Sequence, residues 1–183
     1  MTSVRYFPGG PIILAEYDGE WPAEFAREAT AIRAALVDLE IELHHIGSTA
    51  VGGLSAKPVI DILLIVSSLA VLDTSADRLV RLGYEGRGEF GVPGRRFFQK
   101  TRDDGVRTHQ IHAYAAGDGA IRRHLDFRDF LKTHQIVADA YGRLKAELAE
   151  RHGHDVEAYA EGKTTFVREV ERIAAEWRLI ALG

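Results

Sequence analysis

Cysteine is absent from all 183 residues. No disulfide can brace the chain, and a zinc site would have to be built from histidine and carboxylates alone. No His-x-x-x-His or comparable spacing is completed by a third ligand, so zinc chemistry is not expected. Long apolar runs are missing too. The longest, Val59–Val66, contains Asp61 and falls far short of the ~20 residues needed to cross a bilayer. Met1–Pro11 has no signal-peptide hydrophobic core, and a soluble cytoplasmic protein without membrane attachment is expected. Gly-x-x-x-x-Gly-Lys-Ser/Thr is lacking, which excludes a P-loop. So is Gly-x-Ser-x-Gly, which removes the hydrolase nucleophile elbow. Positive charge is in the minority: 23 Lys and Arg against 27 Asp and Glu give a net charge of −4. That balance argues against nucleic acid as a partner, although Arg95, Arg96, Lys100, Arg102 and Arg107 draw a local basic stripe.

What is present is apolar content enough for a core. At 46% hydrophobic, the chain suits one domain spanning residues 1–183, with 1–20 as a partly irregular arm that includes a short strand at Ile12–Ala15. Trp21-Pro22 opens a helix through about Leu39, with Phe25, Ala29, Ile32 and Leu36 at helical spacing. Strands are expected at Ile41–Ile46 and Val59–Val66, the second so apolar that both its faces must be covered. A helix from about Leu69 to Leu82 stops at Gly83, and a glycine-rich stretch follows with a short strand. Arg95–Thr101 and Val106–Tyr114 read as a hairpin. From Asp118 the chain is mostly helical, with breaks near His134 and Gly153. The fold class is α+β: a mixed sheet of four or five strands, helices packed on it, and a helical C-terminal third.

The tract His44 to Asp61 carries the chemistry. A strand ends in Gly47-Ser48-Thr49, whose backbone and hydroxyls suit an anion, and the next strand opens with the carboxylate Asp61, which can hold a divalent cation. Periodicity adds polar residues on stripes that should be buried. On a helix Ile121–Lys132, His124 and Arg128 fall within the arc of Ile121, Leu125, Phe127 and Leu131. A buried Arg128 needs an anion, either an internal carboxylate or a ligand phosphate. On Asp155–Leu182, Lys163 interrupts the stripe of Val156, Tyr159, Phe166, Val170, Ile173 and Trp177. Either Gly162 kinks the helix and releases Lys163 to solvent, or Lys163 points into a polar pocket. His112, on the polar face of its strand with Thr108, Gln110 and Tyr114, is a metal ligand, a base or a half-exposed strand residue.

Several tracts resemble the GrpB family, which has the fold of polymerase-β-like nucleotidyltransferases. They are Tyr17–Phe25, His45–Val51, Lys57–Ile62, Thr108–His112, Arg123–Leu131, Tyr159–Lys163 and Phe166-Val167. In nucleotidyltransferases of that fold the Gly-Ser turn holds a triphosphate, two carboxylates two positions apart hold Mg²⁺, and a third lies on a later strand. The resemblance matches Gly47-Ser48 and Asp61 to the first two of these elements; in a phosphate site built on them, Gly47, Ser48 and Thr49 are expected to cradle phosphate while Lys57, Arg128 and Lys163 offset its charge, with His124 beside them. It implies Asp61 and His112 as the catalytic pair and the ligands of one Mg²⁺, and a nucleotide as cofactor or substrate. The second carboxylate position holds Leu63, and Gln110 or His112 stands where the third is looked for. Two functions stay open: nucleotidyl or related phosphoryl transfer to an unidentified acceptor, or binding of a nucleotide, coenzyme A-like or other small anionic ligand without turnover. GrpB-like modules also occur fused to dephospho-coenzyme A kinase.

Overall fold

A computed structural model describes residues 10–181. Helix α1 (Trp21–Ala35) carries Pro22 in its first turn, where a missing N–H costs nothing. It ends at Ala35, four residues before the predicted Leu39, and the N–H of the next residue, Leu36, closes on the Ile32 carbonyl. Strand β1 (Ile41–Ile46) runs into a single 3-10 turn, Ser48–Ala50. Strand β2 (Ile60–Val66), helix α2 (Leu69–Arg81) and the short strand β3 (Tyr84–Gly86) follow. Next come the hairpin strands β4 (Arg96–Thr101) and β5 (Arg107–Ala115). The remainder is helical: α3 (Gly119–Thr133), α4 (Gln135–Arg151), α5 (Val156–Gly162) and α6 (Thr164–Ala181). Helices α3 and α5 are capped by Asp118 and Asp155, whose side chains accept from Ala120 N and Ala158 N.

The sheet order is β1-β2-β5-β4-β3, with β2 parallel to β5 and the other pairs antiparallel. The mixed five-stranded sheet with packed helices agrees with the α+β expectation. The predicted strand Ile12–Ala15 reduces to one bridge, Ala15 with Ala56, and the Ile12 N–H goes to the Gly153 carbonyl at 2.6 Å. The long C-terminal helix predicted from Asp155 is two helices that meet at Lys163, and its last predicted residue, Leu182, lies outside the described residues. Glycine at 162 has a packing reason: a Cβ there would sit 2.5 Å from Leu148 Cδ2, so α5 approaches α4 closer than any side chain permits.

The burial of β2 follows from period two. Ile60, Ile62, Leu64 and Val66 join Ala29 and Ile32 of α1, Leu36 just past its end, and Leu72 and Leu79 of α2 in the largest core cluster. On the opposite face Leu63 and Ile65 pack with Ile46, Tyr114, Ile121 and Leu125 under α3. A third cluster joins the C-terminal helices: Phe130 and Leu131 of α3, Ala138 and Tyr141 of α4, and Val170 and Ala174 of α6, closed by Val51 and Leu54. Asp61 therefore opens the β2 face that looks toward α3 and the C-terminal helices, and these form the other wall of the site. Among the described residues no helix is long and apolar enough to cross a membrane.

Candidate functional site

In the antiparallel register of β1 and β2, Ile46 lies opposite Asp61, which brings the strand end of β1 to the strand start of β2. Gly47 has φ +70°, a conformation L residues adopt only with strain. A Cβ on it would lie 2.5 Å from Asp61 Oδ2. Glycine is thus required twice, for the turn and for the carboxylate seated against its backbone. The Gly-Ser turn and Asp61 form one unit because of this contact.

A cavity of about 200 Å³ opens beside that unit, lined by Ser48, Thr49, Lys57, Asp61 and Gln110 from the sheet side. The helical wall supplies Tyr141, Lys145, Tyr159 and Lys163. The volume is below the roughly 300–1,000 Å³ of ordinary ligand clefts, which leaves room for a small group rather than a whole nucleotide. Lys145 is 2% exposed and donates to Ser48 Oγ at 2.9 Å and to the Ser55 carbonyl. Its ammonium also lies 4.7 Å from the Tyr141 ring centre. Lys57 and Lys163 both stand over the Tyr159 ring, at 4.6 and 4.3 Å.

Burial governs the protonation of these amines, because a charged group loses its hydration there. Desolvation, reinforced by Lys163, pulls Lys145 down to about 7. Lys163 falls to about 8 through desolvation and then the charge of Lys57, with Asp61 opposing. Lys57 is lowered by burial, again against Asp61. The Tyr141 phenol is raised by burial, with Tyr159 adding to it. Three amines thus share a space with one carboxylate, and burial lowers the proton affinity of each.

The other residues singled out in the sequence fall in different places. Thr49 is buried, with its hydroxyl 2.9 Å from His45 Nε2 and 3.4 Å from the Val59 carbonyl, so it braces the turn. Burial holds the His45 imidazole down at about 4, hence neutral. Arg128 takes the internal partner: its guanidinium binds Asp129 at 2.7 Å and the His45 carbonyl at 3.1 Å, and it does not line the cavity. His124 also stays outside the cavity lining, against the rings of His112 and Tyr114, and burial depresses it to about 4. The basic stripe along the hairpin is dispersed into pairs. Arg96 binds Asp73, Lys100 binds Glu28, Arg102 binds Asp104, and Arg95 is buried against the carbonyls of Glu89 and Phe90.

His112 lies at the edge of the site. Its Nδ1 is 3.3 Å from Arg95 Nη1, and its Nε2 is 3.4 Å from Asp61 Oδ1. A guanidinium only donates, so Nδ1 accepts and the proton of a neutral imidazole resides on Nε2, directed at Asp61. A protonated Nε2 has no lone pair for a metal. Mg²⁺ wants several hard oxygen ligands, and among the described residues Asp61 is the single carboxylate lining the cavity. Leu63 fills the next inward position of β2, and Gln110, paired in register with Asp61, offers an amide on β5. Among the described residues no three His, Asp or Glu side chains converge as a metal site. This donor set does not fit a two-metal centre.

Lys145 and Tyr141 are the residues sequence reasoning missed. The signal was available: Ala138, Tyr141, Lys145 and Leu148 form the buried stripe of α4, so Lys145 violates periodicity just as Lys163 does.

The GrpB protein family model matches residues 11–172. The chain belongs to the GrpB family. A relative from Bacillus subtilis, the UPF0157 protein YqkA, is 35% identical over 97% of this chain and 51% of its own length. A UPF0157 protein of Halalkalibacterium halodurans is 37% identical over 89% of this chain and 82% of its own. The chain therefore spans about half of YqkA but most of the second GrpB relative. The crystal structure of the conserved protein GrpB from Enterococcus faecalis superposes with a TM-score of 0.85 at 37% identity, over 91% of this chain and 99% of that one. The Cid1 poly(U) polymerase with Mg 3′-dATP bound superposes at TM-score 0.54 and 16% identity, over 81% of this chain and 49% of that one, a likeness of fold. The chain thus has a nucleotidyltransferase-like fold.

Proposed function

We propose that this GrpB protein is a binding module that takes the phosphate end of a small, nucleotide-like anion into the lysine-lined cavity. The observation that carries this reading is the convergence of Lys57, Lys145 and Lys163 on the cavity beside Ser48 of the Gly-Ser turn. Ammonium groups kept from water gain most from a phosphate, which supplies several strong acceptor oxygens. Ser48 and the turn backbone add donors, and Tyr141 and Tyr159 supply flat apolar walls. The cavity accepts the charged end, and the rest of the ligand lies outside it toward solvent. Calorimetric titration with ATP, dephospho-coenzyme A and pyrophosphate tests the proposal. Binding is expected for at least one of them, weakened about tenfold or more in Lys163→Met. Absence of heat with all three overturns the reading.

Coenzyme A precursors belong in that panel because a dephospho-CoA kinase of Mycolicibacterium paratuberculosis contains a region 27% identical to 96% of this chain, covering 49% of its own length. A second reading, nucleotidyl transfer, has the fold shared with Cid1 in its favour. In that reading Asp61 and His112 act on an acceptor while the lysines hold the triphosphate. Incubation with labelled nucleotides and cell extract distinguishes the two. Label transfer that disappears in Asp61→Ala establishes the transferase, and binding without transfer leaves the module.

A further inference from the structure

Two kinds of group stand around Asp61 where this fold would hold metal. One is inert: Leu63 is fully buried in an apolar cluster under α3. The other is cationic: Lys57 and Lys163 are near enough to Asp61 for its charge to act on both, as it does on their proton affinity. Asp61 also faces His112 Nε2, whose proton is set by Arg95 on the far side of the ring. The carboxylate is therefore ringed by positive or proton-bearing groups. A divalent cation approaching it meets two ammonium groups and a single anionic ligand.

We infer that Lys57, Lys145 and Lys163 take the place of the divalent metal, so that the site binds its phosphate ligand metal-free, with Asp61 acting as a repulsive counter-charge rather than a ligand holder. This rests on the phosphate-binding reading above. Three ammonium groups against one carboxylate leave two positive charges in excess when all are protonated, which matches a phosphomonoester or pyrophosphate dianion. Magnesium cancels two of a polyphosphate's negative charges, and in this site the metal itself would sit among the lysines. The two models differ in sign at Asp61. In a metal site, removing the carboxylate charge releases the metal and the phosphate with it. In a lysine site, the same change removes a negative charge that opposes the ligand.

The test uses the whole chain and pyrophosphate, titrated calorimetrically with EDTA present and then with Mg²⁺ in excess. Affinity in EDTA is expected to equal or exceed that in Mg²⁺, and Asp61→Asn is expected to bind about three- to tenfold more tightly. Lys145→Met and Lys163→Met each weaken binding. A second readout is independent of the phosphate: the free Mn²⁺ electron paramagnetic resonance signal is expected to be unchanged by the protein alone. Binding that needs Mg²⁺ or Mn²⁺, loss of binding in a folded Asp61→Asn, or stoichiometric quenching of the Mn²⁺ signal overturns the inference while leaving phosphate binding intact. No pyrophosphate binding in any arm, together with none for the nucleotides, overturns the phosphate-binding reading itself.

Discussion

Replacing Lys145 by methionine is expected to change the pH dependence of stability more distinctly than stability at any one pH. Lys145 is 2% exposed, and burial lowers it from an ordinary 10.5 to about 7. Below that value the folded and unfolded chains both carry the proton, and the cost of burying the charge is fully present. Between about 7 and about 10.4 the unfolded chain keeps a proton that the folded one has released, so unfolding free energy rises with pH at up to ~1.4 kcal/mol per unit. Above that window both states are neutral and the curve is flat again. The whole rise has an upper limit of about 4–5 kcal/mol, and water entering the cavity reduces it. Methionine fills a similar volume without a charge, so the variant lacks this rise. At low pH it escapes the burial cost but loses the bonds to Ser48 and the Ser55 carbonyl, opposing effects of about 1–3 kcal/mol each. The slope is therefore the decisive quantity. Urea unfolding of both proteins at intervals from about pH 7 to about pH 10 measures it, since other titrating groups largely cancel in the difference. A wild-type stability that climbs relative to the variant by at least about 2 kcal/mol is expected. Parallel curves would show that Lys145 stays solvated in the folded protein, and the account of the cavity would fail.

Other perturbations test the surrounding scaffold. Gly47→Ala places a Cβ 2.5 Å from Asp61 Oδ2 and holds a left-handed backbone conformation, so a loss of about 1–3 kcal/mol in chemical denaturation is expected together with altered anion affinity. An unchanged denaturation midpoint would mean that the turn relaxes freely. Glu28 on α1 accepts Lys100 Nζ at 2.9 and 3.1 Å across the sheet, and Glu28→Gln strands that amine. Because the lysine side chain keeps about a quarter of its exposure, a cost of about 1–3 kcal/mol is expected in urea, and no cost would mean Lys100 turns to solvent. Leu63→Asp, which recreates the absent carboxylate, buries a charge among Ile46, Ile65 and Tyr114, and a fall of at least about 3 kcal/mol is expected. A soluble variant with the wild-type melting temperature would show that this position is hydrated.

The strand β2 was legible because Val59–Val66, apolar at every position but Asp61, admits little except a strand covered on both faces. Gly47, Ser48 and Asp61 were legible as well, since a turn glycine and an isolated carboxylate in an apolar run are local anomalies. Lys163 was marked by the same logic, and the choice between its two fates was settled by the break between α5 and α6, which turns its ammonium over Tyr159. Arg128 shows the limit of that logic. Periodicity required an anion for it, but only packing could choose Asp129 over the cavity.

By itself, then, the sequence determined most of the elements, the fold class and the Gly-Ser turn with its carboxylate, because these depend largely on neighbours within a few turns of chain, whereas the strand expected at Ile12–Ala15 and the unbroken helix expected from Asp155 did not form. The tertiary structure alone decided which cations meet that turn. Lys145 lies 97 residues from Ser48, and Lys57 and Lys163 meet over one tyrosine, because α4, α5 and α6 fold back over the sheet. Their charge is tuned by burial, a property of the assembled cavity that no local pattern contains.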